Sequence, residues 1–140
     1  MRLIIAQRDL EQMVERASRG YPYEVCGLVG GHASGEILTA DAITAVRNVS
    51  STPRTGYEME RRAMVEAILA FQRAGREVVA IYHSHPGAAP VPSAVDVAQA
   101  SWPDVVWIIA SVSTDRRTEV GAWTIRYGKV TPAALEVSGR

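Results

Sequence analysis

The chain lacks the cysteines that staple secreted domains and the cationic clusters that mark a nucleic-acid surface. Cys26 is the one cysteine in 140 residues, so no disulfide can form within the chain, and a reducing cytoplasm is the expected compartment. Its 15 basic and 15 acidic residues cancel. No dense Lys/Arg cluster breaks that balance, and a generic nucleic-acid binder needs a basic stripe, so that class is set aside. Long apolar runs are missing too. Val105 to Val112 is far too short to cross a bilayer, and no membrane partner is expected. Met1 to Ala6 turns polar at Gln7-Arg8-Asp9, unlike a signal peptide. Repeats and low-complexity tracts are absent. Histidine is also scarce, at three, which makes the placement of two of them informative.

Those two stand one residue apart in Ile81-Tyr82-His83-Ser84-His85-Pro86. They follow Val78-Val79-Ala80-Ile81, a short apolar run rich in β-branched residues that reads as a buried strand. Side chains at i and i+2 leave the same face of a strand, so His83 and His85 point together. Neutral imidazoles are the commonest metal ligands of protein origin. The next seven residues, 86–92, hold three prolines and a glycine, and read as a stiff loop. This loop delivers the chain to Ser93-Ala94-Val95-Asp96, where a helix begins. Asp96 can add a carboxylate oxygen to the two imidazoles. Three protein ligands and one open position is the pattern of a catalytic zinc, whereas structural sites are closed by four.

Simpler explanations exist for each part. Ser93-x-x-Asp96 has the form of a helix cap followed by an acid in the first turn, which stabilises a helix and need do nothing else. A His-x-His pair is often only hydrogen-bonded. The four positions together are much harder to obtain by chance, and the cap does not compete with a ligand role, because both need Asp96 in the first turn.

His83-Ser84-His85-Pro86, with Ser93 and Asp96, resembles the signature of the JAMM (MPN+, Mov34/PAD-1) metalloproteases. That family also carries a glutamate shortly before a Cys-Gly-x-Leu type segment, and Glu24-Val25-Cys26-Gly27-Leu28 corresponds to it. The resemblance covers nearly the whole chain. It implies one α/β domain over 1–140, with a curved mixed sheet flanked by helices, similar to the cytidine-deaminase-like arrangement. It further implies zinc on His83, His85 and Asp96, with Glu24 as general base and Ser93 as a donor to the developing oxyanion. The reaction is then hydrolysis of an amide or isopeptide bond. All five positions are present, which argues against the metal-free scaffold branch. With little room for large insertions, the chain is similar to the stand-alone prokaryotic members. Their substrates are ubiquitin-like or sulfur-carrier protein conjugates. A monomer or homodimer is expected.

Outside the family pattern, Glu24 could not be told from Glu58 or Glu60 as a candidate base. Cys26 reads as a small buried apolar residue; a soft zinc ligand or a thiol nucleophile paired with His83 or His85 are the less favoured alternatives. A non-catalytic binding or scaffold module is the main rival function. A zinc hydrolase of small amides or nucleobases is a weak one, since deaminase zinc sites draw on two or three cysteines and this chain has one.

The remaining segments complete the domain. Leu3-Ile4-Ile5 predicts a first strand. Leu10, Met13, Val14 and Ala17 recur at helical spacing over 7–19, and Gly20 and Pro22 close that helix. Gly30-Gly31-His32-Ala33-Ser34-Gly35 reads as a hairpin turn with His32 exposed and uninvolved. One longer or two short strands follow over 36–49, then a polar loop at 50–56. Asn48, Ser51, Pro53, Tyr57 and Met59 are arranged much as in short prokaryotic JAMM proteins. A second helix is predicted over 60–74 and a third from Ser93 to about Ala100. Strands are predicted at 105–109 and 119–127, joined by a turn whose Arg116 and Arg117 are read as solvated. The tail from Ala133 is left between a frayed strand and disorder.

Overall fold

Residues that follow one another along each central strand go to opposite sides, and this alternation builds two apolar cores. In the computed structural model, which describes residues 1–139, the elements run β1 (Arg2–Ala6), α1 (Gln7–Gly20), β2 (Cys26–Ser34), β3 (Ile37–Val46), α2 (Arg61–Arg73) and β4 (Glu77–Pro86). They continue as α3 (Ala94–Gln99), β5 (Val106–Val112), β6 (Thr118–Arg126), β7 (Lys129–Pro132) and β8 (Ala134–Ser138). Val29, Tyr82 and Ile108 join a cluster with Leu3, Leu38 and Met13 of α1. Their neighbours Leu28, Ile81 and Trp107 join a second cluster with Ala67 and Phe71 of α2. The period of two thus gives each long helix its own face of the sheet.

One mixed sheet carries all eight strands in the order β7-β6-β5-β4-β2-β3-β1-β8. β4 lies at its centre, antiparallel to β2 and parallel to β5. It is buried from Val79 through His85, as a strand covered on both faces should be. β7 and β8 occupy opposite ends of the order, yet only Ala133 joins them. The N–H of Ala133 donates to Ala122 on β6, and that of Ala134 to Met1 beside β1. The sheet therefore curls until its two edges meet.

Several segments depart from the sequence reading. The tail from 133 is neither frayed nor disordered over Ala134–Ser138; it pairs in parallel with β1 from Arg2 to Ala6. Residues 30–35 are not a single turn. Gly30 and Gly31 lie within β2, beside register shifts toward both neighbouring strands. A Cβ on Gly31 would collide with the Thr39 carbonyl, and one on Gly30 would come within 2.8 Å of the Phe71 ring. These glycines permit close approach, and the turn itself falls at Gly35, whose φ is +61°. His32 is exposed and faces Asp41 on β3 at 3.2 Å. Arg116 is not simply solvated: it donates to the Ser18 carbonyl at 3.0 Å and lies over the Tyr21 ring. There it docks the β5–β6 turn against the negative end of α1.

Candidate metal centre

β4 extends through the whole His-x-His motif, so both imidazoles project from a rigid central strand. Ile81 faces the α2 core, and two and four residues later His83 and His85 leave the same face. The Nδ1 of His85 lies 2.8 Å from the Ala89 carbonyl, which orients the ring and makes Nδ1 the protonated nitrogen. The proline-rich loop then returns the chain to Ser93, the N-cap of α3. Ser93 Oγ accepts from the Asp96 N–H at 3.1 Å, and Asp96 Oδ2 accepts from the Ser93 N–H at 2.9 Å. This reciprocal capping box fixes Asp96 in the first turn, aimed back at β4.

The result is a triangle of three ligand-type atoms. Asp96 Oδ2 lies 3.1 Å from His83 Nε2 and 3.0 Å from His85 Nε2, and the two nitrogens are 3.1 Å apart. With a proton on His85 Nδ1, its Nε2 meets the carboxylate oxygen either as a second N–H, which makes the ring an imidazolium, or as a lone pair, which needs a cation between them. A metal ion shared by all three atoms supplies that cation. Zinc ligands at 2.0–2.2 Å in a tetrahedron stand roughly 3.3–3.6 Å apart, so donor type and number fit the ion and the triangle needs to open by only a few tenths of an ångström. Among the described residues these three form the group of histidine, cysteine and carboxylate side chains close enough to share a cation.

Burial and partners set the charges. Burial works to raise the Asp96 pKa, but hydrogen bonds from His83 and His85 overcome it and hold the carboxyl well below the usual range. His83 is 1% exposed, and that burial lowers its pKa against the pull of Asp96. In His85 burial also opposes protonation, yet hydrogen bonds to Asp96 and Ala89 leave its pKa raised.

Glu24 reaches the same place by strand register. Cys26 pairs with His83, Val25 donates its N–H to Ser84 Oγ at 2.8 Å, and Ser84 donates its own to the Val25 carbonyl at 3.0 Å. One step further along the antiparallel pair, Glu24 falls opposite His85. Glu24 is 6% exposed, and its Oε1 is buried without a hydrogen-bond partner. Burial pushes its pKa up to about 7, with His85 pulling it down and Asp96 adding to the rise. Glu24, His85 and Ser93 line one cleft of about 180 Å³, together with Arg54, Thr55, Pro86 and Ala88. The Ser93 hydroxyl only accepts in its cap, so its proton remains available to a ligand there. Of the other acids considered, Glu60 is spent capping α2 through the Ala63 N–H, and Glu58 is exposed and does not line this cleft.

Cys26 is fully buried, and its thiol donates to the Val46 carbonyl at 3.4 Å. Burial pushes its pKa up to about 12, the opposite of an activated thiol.

Four contributors were not assigned roles from sequence. Tyr57 stacks on His83 with ring centroids 4.6 Å apart. Asn48 donates to the Glu24 and Gly56 carbonyls and accepts from the Ser50 and Glu58 N–H groups, all within 3.1 Å. Ser84 closes the ladder beside Glu24, and Arg54 enters the cleft. An Asn just ahead of a Ser/Thr/Pro-rich loop is a turn signal that points to such a clamp; nothing local marks the other three. A larger cleft of about 480 Å³, lined by Tyr57, Met59, Val95, Trp102 and Trp107 among others, shares Thr55 with the first.

The model of a protein family described as prokaryotic homologs of the JAB domain matches residues 6–126. A desampylase of Haloferax volcanii is 37% identical over 127 residues, covering 88% of each chain. A CysO-cysteine peptidase of Mycobacterium tuberculosis is 28% identical over 135 residues, covering 96% of this chain and 90% of its own. The solution structure of a protein from Desulfitobacterium hafniense superposes with a TM-score of 0.87 at 23% identity, over 100% of this chain and 94% of that one; it speaks to the fold alone. A match running from the start of α1 to the end of β6, over a site built on β4 and α3, establishes that the chain belongs to the prokaryotic JAB (JAMM/MPN) domain family.

Proposed function

We propose that the protein is a zinc-dependent hydrolase. It cleaves the amide or isopeptide bond at the C-terminal glycine of a ubiquitin-like or sulfur-carrier protein. The observation that carries this reading is Glu24, a buried, unpartnered carboxylate in one cleft with His85, itself one corner of the His83–His85–Asp96 triangle. The desampylase and the CysO-cysteine peptidase, named for such conjugates, support the substrate class.

Zinc held by His83, His85 and Asp96 would polarise the scissile carbonyl and bring the pKa of water from 15.7 to about 7. The chain's own groups do the rest. Glu24, made more basic than an ordinary carboxylate by burial, takes the proton of the attacking water as the new C–O bond forms. It returns that proton to the nitrogen as the C–N bond breaks. Ser93 donates to the carbonyl oxygen as charge develops there, a contribution of about 2.7–4 kcal/mol for donors of this kind. Ala89 holds His85 in one tautomer and orientation. A scaffold role would leave the unpaired, buried Glu24 oxygen without an explanation.

Every proposed site residue comes from one chain, so a monomer or homodimer suffices. No helix among the described residues is long and apolar enough to cross a membrane, and a lone buried cysteine suits the cytoplasm. The test is to incubate the zinc-loaded protein with Gly-Gly-terminated carrier conjugates, with and without chelator, and follow the products by mass spectrometry. Chelator-sensitive release of the carrier acid is expected. No cleavage across a panel of carriers from the same organism would overturn the reading.

A further inference from the structure

We propose that Arg54 is a specificity-determining residue that recognises a carboxylate on the leaving side of the scissile bond. This inference rests on the hydrolase reading and sharpens it. Arg54 lines the cleft that holds Glu24, His85 and Ser93. Among the described residues Arg54 has no carboxylate partner, which is also true of Arg16, Arg47, Arg61, Arg73 and Arg116, and of these Arg54 is the one that lines this cleft. Its guanidinium lies over the Tyr23 ring, 5.6 Å from the centroid. A cation–π contact of this kind restrains the side chain and leaves N–H groups for a carboxylate, which a guanidinium can hold through two parallel hydrogen bonds.

The position of Arg54 relative to the base is fixed by the backbone. The Glu24 N–H donates to the carbonyl of Pro53, the residue before Arg54, at 2.7 Å. Asn48 ties the Glu24 carbonyl to the far side of the same loop at Gly56. Glu24 hands its proton to the departing nitrogen, and Arg54, tied to the Glu24 backbone through Pro53, is placed for the leaving side of the bond. That cleft, at about 180 Å³, is open to solvent, so it admits either a small leaving group or the end of a side chain on a larger one. A carboxylate there has two possible sources: the α-carboxylate of a one-residue leaving group, or an acidic side chain beside a modified lysine on a larger protein.

Three conjugates on one Gly-Gly-terminated carrier distinguish them: a single amino acid with a free carboxylate, the same residue as its carboxamide, and a lysine isopeptide flanked by glutamate. If the carboxylate is the leaving residue's own, the wild-type protein should cleave the acid with a kcat/KM about 10- to 100-fold above that of the amide, the range expected for a charged hydrogen-bonded contact; if it is a neighbouring side chain, the glutamate-flanked isopeptide should hold that advantage over the amide instead. Arg54→Gln should bring that ratio close to one, and Arg54→Lys should keep part of it. The Kd of each intact conjugate for the Glu24→Gln protein, with and without Arg54→Gln, should show the same discrimination without turnover. No such advantage for either carboxylate in the wild type, or an advantage that survives Arg54→Gln, would overturn the assignment. If no conjugate is cleaved, the hydrolase reading fails, and the Kd ratios still decide whether Arg54 reads a carboxylate.

Discussion

Cys26 and His83 stand directly opposite each other on β2 and β4, and this single pairing places the proposed base beside the proposed ligands. A slip of one residue would turn Glu24 and the imidazoles to opposite faces. Arg16 braces the register from the other face of the sheet, donating to the Cys26 carbonyl at 2.7 Å and to the Tyr82 hydroxyl at 2.6 Å. The central geometry thus rests on paired strands, and Ser93 and Asp96 join it through a capped turn of helix.

Glu24→Gln keeps the shape of the side chain and removes its basicity. The variant should bind zinc at the wild-type stoichiometry and lose about 10²- to 10⁴-fold in turnover. Metal content and kcat measured on one preparation check this. Loss of zinc would make Glu24 a ligand and contradict its role as base.

The same variant carries a stability signature in the metal-free protein. The Glu24 pKa is about 7 in the folded chain against 4.5 for a free glutamate. Below pH 4.5 both states are protonated and burial carries no ionic cost. As pH rises through 7 the folded state must ionise a buried carboxyl, and stability is lost. Metal-free Glu24→Gln should therefore exceed metal-free wild type by about 1–3 kcal/mol at pH 8, with the advantage gone at pH 4. Denaturant titrations at the two pH values read the difference. Equal stabilities at pH 8 would mean that Glu24 ionises without penalty.

Asn48 uses all four hydrogen-bonding positions of its amide, joining Glu24 to the loop that carries Arg54, Thr55 and Tyr57. Asn48→Ala should cost about 1–3 kcal/mol and increase hydrogen exchange over 49–58, with zinc stoichiometry retained and activity reduced. Unchanged exchange in that loop would show that the clamp is not what orders it.

The parts legible in the sequence were those governed by local period. Alternation along β4 placed His83 and His85 on one face, the Ser93-x-x-Asp96 spacing placed the carboxylate in a first helical turn, and 3.6-residue stripes marked α1 and α2. Contacts between distant residues were not legible. The pairing of Ala134–Ser138 with Arg2–Ala6 and the docking of Arg116 on Ser18 leave no local pattern. Gly30 and Gly31 carried a signal that was real but ambiguous, because a glycine needed for close approach looks the same as one needed for a turn. Tyr57 and Arg54 acquire their places only when the loop folds back over β2 and β4.

Cys26 tests the assignment from the side of the rival thiol chemistry. A fully buried sulfur with its pKa pushed to about 12 has almost no thiolate at neutral pH. The folded protein should resist iodoacetamide and react once denatured, and Cys26→Ser should remain catalytically competent. Rapid alkylation of the native protein with matching loss of activity would restore the nucleophile reading.

The most direct measurement of the central claim is zinc per chain in the wild type, His83→Ala and Asp96→Ala, each shown to be folded, after dialysis against trace zinc. Sharing of one ion by His83, His85 and Asp96 predicts a stoichiometry of about one for the wild type and a fall of about tenfold or more in affinity for each variant. Stoichiometry and affinity unchanged in both variants would contradict it.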